Sequence, residues 1–103
     1  MNDKFLSMLG IARKANMVSL GFNPVVDMLK TKKVKLIFIA SDVSDKTRKN
    51  IKYEADKANV TIIDTPYTME DFNRAVSKKA AVLSINDSGF KDKFLEIPLD
   101  KKI

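Results

Sequence analysis

The chain of 103 residues is long enough for one domain with a core of its own and too short for two. Because it contains no cysteine and no histidine, disulfides, cysteine nucleophiles, imidazole acid–base chemistry and imidazole metal ligands are all excluded. The net charge of +6 favours polyanionic partners.

The positive charge is concentrated in the first half of the chain. Residues 1–52 carry 11 Lys or Arg and 4 Asp or Glu, a balance of +7, whereas residues 53–103 carry 8 and 9, a balance of −1. Single lysines usually only solvate a helix surface, but a segregation of this size predicts a nucleic-acid-binding face. The basic groups are Arg13 and Lys14; Lys30, Lys32, Lys33 and Lys35; and Lys46, Arg48, Lys49 and Lys52.

The N-terminal residues do not resemble a secretion signal. Residues 1–15 are interrupted by charges and lack a continuous apolar region, and no stretch approaches the length of a membrane span. We therefore expect a single domain over residues 1–103, a monomer in the cytoplasm, with no membrane, metal or cofactor.

The first strand is predicted to run directly into a helix. Apolar spacing predicts a helix over residues 3–15, and a strand follows over residues 17–20. Gly21 permits a tight turn, and Asn23 followed by Pro24 is typical of an N-cap and a first helical turn. Such a junction presents unpaired N–H groups at the positive end of a helix dipole, so it is the first candidate anion site.

The remaining elements continue the alternation of helices and strands. Ser44 is the predicted N-cap of the third helix, and Thr68 with Asp71 is predicted to form a capping box. Residues 34–40 are almost all apolar, which predicts a central strand covered on both faces. The predicted strands are 34–40, 60–63 and 80–85, and the predicted helices are 44–59, 68–76 and a last one that follows 86–89 and ends at Pro98.

This alternation predicts a largely parallel sheet between layers of helices, because parallel strands need crossovers over the sheet faces. Ligands of such sheets bind beyond the carboxyl ends of the strands. The expected binding edge therefore consists of residues 21–24, 41–45, 64–68 and 86–89.

Asp42 is the sharpest candidate for catalysis, since it ends the predicted central strand, where phosphoacceptor aspartates occur. A phosphoacceptor site needs a second acidic group after the first strand to hold Mg²⁺, and residues 20–22 provide none. The two glycine-rich phosphate-loop motifs are also absent. We interpret Asp42 as a turn-forming or helix-proximal aspartate and predict no enzyme; a phosphate-handling enzyme that uses Asp42 is the third hypothesis.

Four segments carry a family resemblance: Leu-Gly-Ile-Ala-Arg-Lys-Ala at 9–15, Gly-Phe-Asn at 21–23, Ile-Ala-Ser-Asp at 39–42 and Asn-Asp-Ser-Gly-Phe at 86–90. With the order of elements, they make nearly the whole chain resemble the kink-turn RNA-binding ribosomal proteins of the archaeal L-seven-Ae type, most closely the short bacterial YlxQ-type members. The resemblance implies an α/β fold, a three-layer α-β-α sandwich with a four-stranded mixed sheet and five helices.

The resemblance also implies an RNA site. In the family the start of helix two enters the groove at tandem G·A pairs, which here corresponds to Gly21 and Asn23, with the turn at 41–44 and the segment 77–80 beside them. The amide of Asn23 would bond base edges, and backbone N–H groups and lysines would hold phosphates. The predicted RNA-binding residues are Gly21, Phe22, Asn23, Pro24, Arg13, Lys14, Lys30, Lys33, Ser44, Lys46, Arg48, Lys78 and Lys79.

The chain departs from the family pattern at several of these positions. Pro24 and Asp27 stand where strong kink-turn readers carry a glutamate and a lysine, Ser44 replaces a frequent glutamate, and residues 77–80 are less apolar than usual. The leading hypothesis is a ribosome-associated protein that binds structured RNA, with ribosomal RNA and the ribosome as candidate partners. Only Phe22 and Tyr53 are expected to be exposed rings, so we expect recognition of shape rather than stacking. The alternative is a protein-interaction or scaffold module that kept this fold and lost RNA selectivity.

Overall fold

A computed structural model describes residues 3–99, and these form five helices and four strands in the predicted alternating order. The elements are α1 (Lys4–Lys14), β1 (Val18–Leu20), α2 (Phe22–Leu29), β2 (Leu36–Ile39), α3 (Asp45–Ala58), β3 (Ile62–Asp64), α4 (Met69–Val76), β4 (Val82–Ile85) and α5 (Ser88–Leu95). The domain predicted over residues 1–103 extends at both ends outside the described residues. Within residues 3–99 no helix is long and apolar enough to cross a bilayer.

Four of the five described helices begin with a side-chain cap. Each capping oxygen accepts a hydrogen bond from the N–H group three residues later, which satisfies one of the donors that a helix start leaves unpaired. The predicted N-cap Ser44 and the predicted capping box of Thr68 and Asp71 are both confirmed. Asp3 caps α1 and Asp87 caps α5 in the same way.

The sheet is mixed, in the order β1-β4-β2-β3. Strands β2 and β3 are parallel, whereas β4 lies antiparallel between β1 and β2. The largely parallel sheet expected from the alternation is therefore wrong, and the mixed sheet implied by the resemblance is confirmed. The reason is the connection after α4: Ser77 adopts a left-handed conformation with φ 59°, and residues 78–81 return the chain to the end of the sheet where β2 finishes.

Helices cover both faces of the sheet. One core cluster joins α1, α4 and α5 to one face, and a second joins α2 and α3 to the other. Along β2 the side chains alternate between the two clusters, with Leu36 and Phe38 in the first and Ile37 and Ile39 in the second. The prediction that this strand is covered on both faces is confirmed.

Candidate nucleic-acid interface

Four connections meet at one edge of the sheet, and the fourth lies there because β4 runs antiparallel to its neighbours. The N–H group of Ala40 donates to the carbonyl of Ala81 at 2.9 Å, and the N–H group of Gly21 donates to Val82 at 2.8 Å. The start of β4 therefore lies between the end of β1 and the end of β2. We call this region the helix-start edge, and it comprises residues 21–24, 41–44, 64–68 and 78–81.

Residues 86–89 lie at the opposite edge. The N–H group of Asn86 donates to the carbonyl of Met17, which precedes β1, at 2.9 Å. The expectation that residues 86–89 join the binding edge is wrong, because it assumed a parallel β4. The segment before β4 takes their place, in agreement with the position that the resemblance gives to residues 77–80.

Helix α2 begins earlier than predicted. Gly21 is the N-cap, with φ 99° and ψ 161°, and the first helical hydrogen bond runs from the N–H group of Val25 to its carbonyl at 3.1 Å. The prediction that Asn23 is the N-cap is therefore wrong, since Asn23 is the second residue of the helix. The unusual backbone angles of Gly21 allow the chain to pass from β1 into α2 through this single residue.

The start of α2 has no side-chain cap, in contrast to the other helices of the described chain. The N–H groups of Phe22 and Asn23 lie in the first turn and have no intrahelical acceptor. Pro24, the next residue, has no N–H group and so adds no unpaired donor. The side chain of Asn23 is exposed, and its amide makes no hydrogen bond within residues 3–99. Backbone donors, an amide and the positive end of the helix dipole thus coincide at one point.

The turns beside α2 are held by hydrogen bonds between loops. The N–H group of Ser41 donates to the carbonyl of Tyr67 at 2.7 Å, and the hydroxyl of Thr65 donates to the carbonyl of Ile39 at 2.9 Å. A carboxylate oxygen of Asp42 accepts from the N–H group of Met69 at 2.9 Å, at the start of α4. This contact agrees with the interpretation of Asp42 as a helix-proximal aspartate.

We expect Asp42→Ala to lower the free energy of unfolding by about 1 kcal/mol, because it removes an acceptor and a negative charge from a helix start. Asp42→Asn keeps an acceptor oxygen and should lose less. Urea unfolding measures both, with Asp92→Ala as a control, since the exposed carboxylate of Asp92 makes no hydrogen bond or ion pair among the described residues. An equal loss for Asp42→Ala and Asp92→Ala would contradict this role.

Three exposed lysines are available to phosphates: Lys78 and Lys79 lie within the helix-start edge ahead of β4, and Lys46 lies beside it in the first turn of α3. Two other predicted site residues are engaged within the protein. Arg48 forms an ion pair with Asp64 at the end of β3, and the hydroxyl of Ser44 accepts from the N–H group of Thr47 at 3.1 Å.

Four predicted site residues lie away from this edge. Lys30 is the C-cap of α2 and Lys33 lies in the connection to β2, at the other end of the helix from Gly21. Arg13 and Lys14 belong to the last turn of α1, close to the start of β1. The structure therefore divides the predicted residues into two groups at opposite ends of the sheet.

The exposed ring predicted at Phe22 is not found. Phe22 is partly buried and packs on the core cluster under α2 and α3, because the helix begins one residue after Gly21 and directs this ring inward. Tyr53 is 62% exposed, as predicted, and the ammonium of Lys57 lies 4.7 Å from its ring centroid. Residue patterns also missed the contribution of residues 78–81 to the edge, which only the resemblance indicated.

Curated relatives match this chain over most of its length and most of theirs. Two curated relatives are both named RNA-binding protein YlxQ: that of Enterococcus faecium is 24% identical over 95 residues, covering 92% of this chain and 91% of the relative. That of Bacillus subtilis strain 168 is 26% identical over 99 residues, covering 91% and 94%. Both names describe binding proteins rather than enzymes, which agrees with the prediction of a non-catalytic protein.

Solved structures give the same fold. A protein of unknown function from Bacillus halodurans C superposes with a TM-score of 0.83 at 25% identity, over 91% of this chain and 95% of that one. The 15.5kD RNA binding protein of Giardia lamblia superposes with a TM-score of 0.73 at 16% identity, over 93% and 86%, which shows the fold alone. The family model described as "Ribosomal protein L7Ae/L30e/S12e/Gadd45 family" matches residues 3–95, and the chain therefore belongs to this family, as the resemblance predicted.

Proposed function

We propose that this protein binds structured RNA through the helix-start edge. The observation that carries the proposal is the uncapped start of α2, where the amide of Asn23 and the N–H groups of Phe22 and Asn23 have no partner from a capping side chain. Membership of a family with relatives named RNA-binding protein supports the same partner.

Each group at this edge has a role that its chemistry allows. The amide of Asn23 offers both a donor and an acceptor, which suits the edges of paired bases. The backbone N–H groups at the start of α2 suit a phosphate oxygen. Lys46, Lys78 and Lys79 supply positive charge that attracts phosphates whatever the base sequence.

We further propose that the target contains a kink-turn or a similar array of non-standard pairs, and that the protein acts as a cytoplasmic, ribosome-associated monomer. These finer proposals rest on the family resemblance at Gly21 and Asn23 and on the low number of stacking surfaces. The described chain has one strongly exposed ring, Tyr53, on the outer side of α3. Recognition by shape and base edges therefore fits better than stacking of single-stranded bases.

A protein-interaction module is the second candidate function. Pro24 supplies no side-chain acceptor, and Asp27 is 79% exposed and carries a negative charge on α2, although Lys30 lies 3.9 Å from it. Both residues weaken the case for selective binding of a kink-turn. Retention of a bound partner protein after nuclease treatment, together with no measurable RNA binding, would favour this function.

Titration of a labelled kink-turn RNA tests the RNA proposal. The matched control RNA replaces the tandem G·A pairs by Watson–Crick pairs, and both are measured at two salt concentrations. We expect Asn23→Ala to weaken kink-turn binding by about 5- to 150-fold, corresponding to about 1–3 kcal/mol for an amide that reads a base edge. Ser88→Ala, an exposed change at the opposite edge, should have no effect.

Two results would contradict parts of the proposal. If both RNAs bind equally and with a strong dependence on salt, the binding reflects only a basic surface, and the proposal that the target is a kink-turn is wrong. Unchanged affinity in Asn23→Ala would remove this residue, and with it the start of α2, from the site.

A further inference from the structure

Most of the exposed positive charge near α2 lies at the end of the helix opposite to Asn23. We call this region the lysine end, and it consists of Lys30, Lys32, Lys33 and Lys35, all of them exposed. The N–H group of Lys35 donates to the carbonyl of Ile85 at 2.8 Å, at the end of β4. The lysine end therefore lies at the far edge of the sheet.

The distance between the two ends is large compared with the range of screened charges. Lys35 and Ala40 are five residue steps apart along extended chain, or about 17 Å at ~3.3 Å per residue. Lys30 is nearer to Asn23, seven steps along α2 or about 10 Å at ~1.5 Å per residue. The Debye length at physiological ionic strength is about 8 Å, so exposed charges this far apart are largely screened from each other. The lysine end can thus add little to the binding of a phosphate held beside Asn23, and it needs phosphates of its own.

The charge at the lysine end is largely uncompensated. Lys30 lies 3.9 Å from Asp27, but Lys32, Lys33 and Lys35 make no ion pair within residues 3–99. Lys30 and Lys32 line a groove of ≈ 530 Å³ between α2 and α3, which also contains Lys57 and Glu54. Lys57 itself is paired with Glu54 at 3.3 Å.

The neighbouring elements add to this charge. The last turn of α1 carries Arg13 and Lys14, and its Ala12 carbonyl accepts from the N–H group of Met17 at 3.0 Å, just before β1. Asp87 is the carboxylate nearest in sequence to the end of β4, and it is engaged in capping α5. Exposed carboxylates accompany the lysines at the helix-start edge, with Asp42 and Asp64 within it and Asp45 and Glu70 just outside it, whereas at the lysine end Asp27 lies beside Lys30.

We propose that the lysine end is a second RNA-binding surface, which holds the phosphate backbone of a different segment of RNA from the one at the helix-start edge. The proposal rests on the proposed function, since it takes RNA as the partner. Lysine ammonium groups are flexible point charges without the bidentate geometry that reads bases, so this surface would bind phosphates without regard to sequence. The protein would then contact two segments at opposite ends of a body whose longest dimension is 36 Å.

Two RNAs and two triple variants test this inference. The short RNA is a kink-turn with trimmed stems, and the extended RNA carries the same kink-turn with stems lengthened by more than a helical turn. The test variant is Lys32→Gln with Lys33→Gln and Lys35→Gln. The control variant is Lys4→Gln with Lys49→Gln and Lys93→Gln, three exposed lysines outside the lysine end, which makes the same change in net charge.

We expect the natural protein to bind the extended RNA more tightly than the short one. The slope of log affinity against log salt concentration should be steeper for the extended RNA, by up to about 0.9 for each additional phosphate contact. The test variant should lose about tenfold or more in affinity for the extended RNA and about twofold or less for the short one. The control variant should lose far less on the extended RNA than the test variant.

Three results would overturn the inference: equal affinity of the natural protein for both RNAs, equal losses in the two variants, or tighter retention on vesicles of anionic lipid than on the extended RNA. Asn23→Ala in the same titration separates this inference from the proposed function. If Asn23→Ala and the G·A pairs have no effect while the test variant loses affinity for the extended RNA, the proposed site fails and the second surface stands. If Asn23→Ala weakens the binding of both RNAs and the test variant weakens the binding of neither, the proposed site stands and the second surface fails.

Discussion

Phe5→Ala is expected to lower the free energy of unfolding by about 3–5 kcal/mol, the usual cost of removing a buried phenylalanine ring. Phe5 is fully buried, and its ring is stacked on Tyr67 with a centroid distance of 4.8 Å. It also meets Phe38 edge-on at 4.9 Å and Phe94 at 5.5 Å. The change would therefore leave a cavity where α1, α5, β2 and the loop before α4 meet.

The same ring supports the candidate interface. The hydroxyl of Tyr67 donates to a carboxylate oxygen of Asp3, the N-cap of α1, at 2.7 Å, and its carbonyl accepts from Ser41 in the turn after β2. Loss of Phe5 removes the surface on which Tyr67 lies, so the helix-start edge should loosen as the core weakens. Since domains of this size are stable by about 5–15 kcal/mol, the variant should be close to unfolding.

Urea and thermal unfolding measure this effect, with Leu95→Ala as the control. Leu95 is 55% exposed, and its truncation should change the free energy of unfolding by less than about 0.5 kcal/mol. Similar losses in the two variants would contradict the position of Phe5 at the centre of the core.

Features that depend on a few neighbouring residues could be predicted from the sequence. The caps of α3 and α4 are hydrogen bonds between residues three positions apart, so Ser44 and Thr68 were recognisable from local pattern alone. The doubly covered strand β2 was equally clear, because a short run of apolar residues needs contacts on both faces.

The direction of β4 could not be predicted from residue patterns. The apolar run that forms it is compatible with parallel or antiparallel pairing, and only the short return over residues 78–81 decides between them. This single difference moved residues 86–89 to the far edge. It also brought the start of β4 beside Gly21.

The grouping of the lysines in the sequence was misleading in a similar way. Lys30 and Lys33 follow Gly21 closely along the chain, but α2 carries them from one edge of the sheet to the other. Nearness in sequence therefore does not make one site, and the two ends need separate experiments.

Gly21→Ala is expected to weaken the proposed RNA binding even when the variant is fully folded, so that lower stability does not account for the loss of affinity. Gly21 has φ 99° and ψ 161°, a conformation that is nearly restricted to glycine and costs other residues about 1–3 kcal/mol. A methyl group itself would have room, because the nearest atom to it would be Cδ of Pro24 at 3.7 Å. The penalty is therefore in the backbone, and the chain can relieve it only by changing the angles at this junction.

Such a change in the backbone angles of residue 21 would disturb the candidate site. Gly21 donates to Val82 and accepts from Val25, so a change in its angles alters both the link to β4 and the first bond of α2. Asn23, two residues later, would move relative to Lys79 and the turn at 41–44. We expect Gly21→Ala to lose about 1–3 kcal/mol in the free energy of unfolding. We also expect the folded variant to bind RNA more weakly than the folded natural protein.

Gly89→Ala is the matched control, because Gly89 lies in α5 at the far edge and lacks the positive φ of Gly21. Its added methyl would meet the carboxylate oxygen of Asp87 that caps α5 at 3.1 Å, so this control measures the effect of a small local loss of stability away from α2. The titration uses the same kink-turn RNA at a temperature where circular dichroism shows both variants folded. If Gly21→Ala binds RNA as tightly as Gly89→Ala, the geometry of the α2 start is not required for binding. A selective loss in Gly21→Ala, beside an unchanged Gly89→Ala, would mean that the backbone conformation which leaves this helix uncapped is also the one that presents its amide groups to RNA.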